Sequence, residues 1–153
     1  MLHTRLLAIV ILPGIFLLSA CSGGPATGQA NPDGSVNVDV TLNDFAIKSS
    51  VTQFKPGVLY HISVANKGQV GHEFMIFPVS ELPDTPGMSG MSGMSMEEYD
   101  KIALMTIPLE QLPPGASINA DYTFTGIPQG NLELVCLTQG HYEAGMHIPI
   151  TVK

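Results

Sequence analysis

Several short runs of this chain alternate apolar with polar residues, the period of strands that are half-buried in a sheet. "SVNVDVTL" puts Val36, Val38, Val40 and Leu42 on one face. "QFKPGVLYHISVANKG" reads as a Pro-Gly turn, a strand near 58–64 and a second turn at Asn66-Lys67-Gly68. "GHEFMIFP" is a shorter strand closed by Pro78. "PPGASINADYTFTGIPQGNLELVC" supplies two more, near 117–124 and 131–136, and "MHIPITVK" supplies the last. Only "SMEEYDKIALM", residues 95–105, has a helical pattern, with Ser95 as its cap and Glu97-Glu98 in its first turn. About six to eight strands at this spacing predict an all-β fold, an antiparallel β-sandwich. An insertion near 78–105, part loop and part short helix, interrupts it.

One apolar run does not alternate. "MLHTRLLAIVILPGIFLLSAC" has a basic start at Arg5, an apolar stretch over 6–18 and small residues before Cys21, the layout of a secretory signal. Pro13-Gly14 interrupts a run already shorter than the roughly 20 residues of a membrane span. Leu18-Ser19-Ala20-Cys21 resembles the lipobox of bacterial lipoproteins. The resemblance implies a signal peptide over 1–20, a lipidated Cys21 and a protein exported and held at a cell or outer membrane, facing the periplasm or the exterior. Residues 21–34, rich in Gly, Pro and small polar residues, then read as a flexible tether, and 35–153 as one domain.

Composition narrows the function. Charged residues make up 12% of the 153 and the formal net charge is −7. No basic patch is available for nucleic acid. The chain has 2 cysteines. With Cys21 given to lipid, Cys136 has no partner, and a lone thiol in an oxidising compartment must be buried or bound. A Cys21–Cys136 disulfide is the alternative.

"VCLTQGHYEAGMHIPITV" puts Cys136, His141 and Met146 at i, i+5 and i+10. On a helix they point three ways, and on one strand the outer two lie about 33 Å apart. They converge only if the chain folds back, and Gly140 and Gly145 allow the turns. A thiolate, imidazoles and a thioether suit copper, whereas zinc has little use for methionine. A His₂Cys site needs a second histidine. His72 begins a strand after Gly71 and is the strongest candidate. His61, within "LYHISV", reads as a satisfied strand histidine. His147, next to Met146, points away from a metal that Met146 faces and is at most a secondary contact.

"GHEF" followed far downstream by "CLTQGHYEAGM" resembles the cupredoxins of the plastocyanin/azurin type. The Cys-x₄-His-x₄-Met spacing is similar to that of rusticyanins, and "GHYEAGM" to periplasmic cupredoxins of copper tolerance. The resemblance spans 35–153 and is strongest over 66–77 and 115–153. It implies a Greek-key sandwich with one type 1 (blue) copper. Cys136 would be the thiolate ligand, His72 and His141 the equatorial ligands and Met146 the axial one. The Gly71 carbonyl would lie near the opposite axial position. Azurins carry Asn after the first histidine where this chain has Glu73; its backbone N–H remains able to donate to the sulfur.

Met88, Met91, Met94 and Met96 alternate with Ser and Gly in the insertion. They read either as soft Cu(I) ligands or as an adaptable apolar flap. Two functions follow: an electron carrier, which the resemblance implies would exchange electrons with a redox partner through His141, or a copper-tolerance protein with copper-handling partners. A monomer is expected. An enzyme is not, because multicopper oxidases and copper nitrite reductases need further histidines, and a dicopper centre needs a cysteine where Thr138 and Gln139 stand.

Overall fold

A computed structural model describes residues 26–78, 95–128 and 130–153. The expectations for Cys21, Met88, Met91 and Met94, for the Met96 side chain and for the signal segment lie outside them.

Among the described residues, nine strands form two mixed sheets. The first contains β1 (Val36–Asn43), β2 (Ala46–Ser49), β4 (Leu59–Asn66) and β7 (Ser117–Thr123), in the order β2-β1-β4-β7. The second contains β3 (Gln53–Phe54), β5 (Phe74–Pro78), β6 (Met105–Ile107), β8 (Leu132–Val135) and β9 (His147–Val152), in the order β3-β9-β8-β5-β6. Two pairs, β1 with β4 and β3 with β9, are parallel, so the sandwich is not purely antiparallel as the strand spacing implied. Alternation is blind to this difference, because side chains alternate faces in either direction.

The alternating residues of β1 and β4 turn Val38, Val40, Leu42, Ile62 and Val64 inward. They meet Phe54, Phe74, Ile76, Leu134 and Ile150 of the second sheet in one core. Burial of each such side chain stabilises by roughly 1.5–3 kcal/mol. β5 is buried on both faces. Its outward Met75 and Phe77 pack under α1 (Met96–Ile102), with Tyr99, Val135 and Leu137. Ser95 and Glu98 cap α1 reciprocally, Ser95 N–H donating to Glu98 Oε2 at 2.6 Å. The helix is shorter than the expected 95–105. Met105 leaves it to pair with Ile76, because the β5 edge offers backbone partners that another helical turn would forgo.

Residues 26–35, tether-like in composition, already pack on the domain. The Ala26 carbonyl accepts from Thr52 N–H at 2.8 Å and Gln53 N–H at 3.0 Å, and Ala30 bridges to Val36.

Candidate metal centre

His72 lies two residues before β5 and Cys136 one residue after β8. β5 and β8 are antiparallel with Met75 opposite Val135, so both residues emerge at the same end of the second sheet. Beyond Cys136 the chain folds back. Cys136 N–H donates to the Met146 carbonyl at 3.1 Å, Met146 N–H to the His141 carbonyl at 3.0 Å, and His141 N–H to the Thr138 carbonyl at 2.9 Å. Gly140 (φ 80°) and Gly145 (φ 101°) make these reversals in a region that favours glycine.

The fold-back brings His141 Nδ1 to 3.2 Å from His72 Nδ1 and 3.3 Å from Cys136 Sγ. All three donors lie within 4.8 Å of one another. Met146, fully buried, sits at the foot of the same loop. Gly71 packs closely on Leu109, whose Cδ1 would lie 3.0 Å from an added Cβ.

The electrostatics suit a soft cation. Burial holds both imidazoles below the usual histidine range, against the pull of Asp44. Burial also pushes the Cys136 thiol up, while the Thr138 hydroxyl and the Glu73 amide act the other way. His72 Nε2 lies 3.3 Å from Asp44 Oδ1. A proton on Nε2 leaves the Nδ1 lone pair facing His141 and Cys136. Three neutral donors thus converge at a depth where hydrophobic packing gives no reason for them to meet. A thiophilic ion fits them, displacing the thiol proton as it binds.

In the sequence Asn66 and Gly68 read only as a turn, and Asp44 carries no signal of a supporting role. The Asp44 carboxylate accepts Gln69 N–H at 2.9 and 3.0 Å and Val70 N–H at 3.4 Å. Buried Asn66 donates from Nδ2 to the carbonyls of Val70 and Leu112, both at 2.8 Å, and accepts Gly68 N–H at 2.8 Å. A Cβ on Gly68 would collide with the Asp44 carboxylate and His72 Nε2. Asn and Asp after strands mark turns by bonding nearby backbone, but nothing in that signal says that two such turns meet. Phe45 is a bulky residue held at φ 64°, with its ring edge-on to His141 at 5.3 Å.

Glu73 is only 4% exposed. Burial pushes its carboxyl up to about 7, reinforced by the charges of Asp100 and Glu110 and opposed by the Leu137 amide. The other histidines lie elsewhere. His61 Nδ1 pairs with Asp121 Oδ1 at 2.7 Å across β4 and β7. His147 Nδ1 faces Glu133 Oε2 at 3.0 Å, and its ring stacks on Tyr142 with centroids 4.2 Å apart.

No family model matches the chain, and no curated protein matches it. Solved structures do. A copper protein, rusticyanin, aligns with a TM-score of 0.58 at 19% identity, covering 84% of this chain and 88% of its own. Dithionite-reduced auracyanin from Roseiflexus castenholzii aligns at 0.53 and 14% identity, over 76% of this chain and 96% of its own. Auracyanin B aligns at 0.55 and 16% identity, over 85% and 96%. The chain has the cupredoxin β-sandwich fold.

Proposed function

We propose that this chain holds one copper ion, which His72, Cys136 and His141 would ligate, with Met146 as a weaker fourth ligand and the Gly71 carbonyl close by. The observation that carries this reading is the convergence of two imidazole nitrogens and one thiol sulfur within 4.8 Å, from residues up to 69 positions apart. Copper so held alternates between two oxidation states and so stores one electron. The chain supplies the rest. Asp44 fixes the orientation of His72, and the β8–β9 fold-back presets the positions of Cys136, His141 and Met146, so little rearranges with the charge. His141 is half-buried while His72 and Cys136 are fully enclosed, which makes the His141 edge the route in and out. The function is one-electron transfer and not catalysis, with a redox protein as partner. Cys21 anchors the carrier to the envelope membrane by lipid.

Protein-film voltammetry of the copper-loaded protein tests this function. One reversible one-electron wave is expected, and loss of copper on reduction would contradict a carrier. The methionines at 88, 91, 94 and 96 favour a second reading, Cu(I) handling in copper tolerance. Deleting 88–96 separates the two: lost copper resistance with an unchanged wave supports tolerance, and unchanged resistance supports the carrier.

A further inference from the structure

A cavity of about 320 Å³ opens beside the donor cluster, and none of its side chains belongs to the candidate ligand set. Its walls include apolar Pro108, Leu109 and Leu137, and three carboxylates border it: Glu73, Asp100 and Glu110. Asp100 and Glu110 are exposed at the rim, whereas Glu73 is 4% exposed, and its Oε1 has no hydrogen-bond partner among the described residues. The Leu137 and Thr138 amides offset only part of the cost of burying this carboxyl, so a cation close to it is favoured.

Among the described residues, no lysine, arginine or histidine lines the cavity. Residues 79–94, outside the described part, contain none of these either. The carboxylates are also too dispersed for a metal nest. Among the described residues, the one group of three such donors within 4.8 Å is His72, Cys136 and His141. Apolar walls beneath dispersed acids instead match a cation carried on an alkyl stem, which buries its methylenes and extends its charged head. The net charge of −7 attracts partners of the opposite sign.

We propose that this cavity receives a lysine or arginine side chain of a basic protein that docks across Glu73, Asp100 and Glu110. The stem lies on Pro108, Leu109 and Leu137, and the head sits among the Glu73, Asp100 and Glu110 carboxylates.

The full-length, metal-free chain is titrated with Nα-acetyl-lysine amide while its backbone amides are followed by NMR. The signals of Leu137, Thr138 and Gln139 move together and saturate. Nα-acetyl-norleucine amide, the same shape without the charge, binds roughly tenfold more weakly. Glu73→Gln and the rim variant Glu110→Gln each weaken the lysine probe. Because Glu110 is exposed, its variant carries the test even where Glu73→Gln perturbs folding. Equal binding of the two probes, shifts spread over the acidic surface without saturation, or an unchanged response in Glu110→Gln would each overturn the proposal. So would displacement of the lysine probe by a lower concentration of calcium, which would make the cavity a metal site. The titration needs no metal, so its outcome is independent of whether copper binds.

Discussion

The Asp44 carboxylate takes amide hydrogens from Gln69 and Val70 and faces His72 Nε2 at 3.3 Å. Removing such a partner from a ligating histidine typically weakens metal binding roughly 10–100-fold. Asp44→Ala should therefore lose copper affinity by that order in competition with a chelator, and wild-type affinity would show that Asp44 does not orient His72. Glu73 bears on stability instead. Its folded pKa rises from 4.5 to about 7, so the folded protein binds more protons than the unfolded chain across that window. Stability from this group is complete below about 4.5 and is lost as pH rises through about 7. Glu73→Gln removes the slope. In urea denaturation of the metal-free protein, the variant should gain on wild type between pH 5 and pH 8 by up to roughly 3 kcal/mol. An equal difference at the two pH values would contradict a strained, buried carboxyl.

The β8–β9 loop is the element that assembles the cluster, since it folds His141 back onto Cys136. Its closing turn depends on Gly145 at φ 101°. Gly145→Ala should cost about 1–2 kcal/mol in chemical denaturation and loosen copper binding; a neutral result would mean that the turn relaxes freely. The fold-back of this element was legible in sequence, because Cys136, His141 and Met146 fall at even spacing with a glycine before His141 and before Met146, where the chain can reverse. β1 and β4 were legible for the same kind of reason: each has eight residues of clean alternation. The two residues of β3 and the three of β6 carry too little pattern to separate from loop. Residues 95–105 mixed two signals. The capping box at Ser95 and Glu98 announced a helix, but its end was decided by a remote strand edge at β5. Parallel pairing of β1 with β4 and the meeting of Asp44 with Gly68 and His72 are tertiary facts with no local trace.

At the scale of the molecule, two sheets enclose one core, and the cluster sits at the end of the second sheet, with His72 and Cys136 buried and His141 half-buried. Such an arrangement would shield a metal ion from water while leaving one donor near the surface. A copper centre in this cluster stands or falls on the Cys136 sulfur. Adding Cu(II) to the metal-free chain and recording the visible spectrum tests it most directly. The wild-type protein should develop an intense thiolate-to-copper band at one copper per chain, and Cys136→Ala, with its fold intact by circular dichroism, should show none. A colourless copper complex, or a band that survives in Cys136→Ala, would contradict a copper centre built on this thiolate.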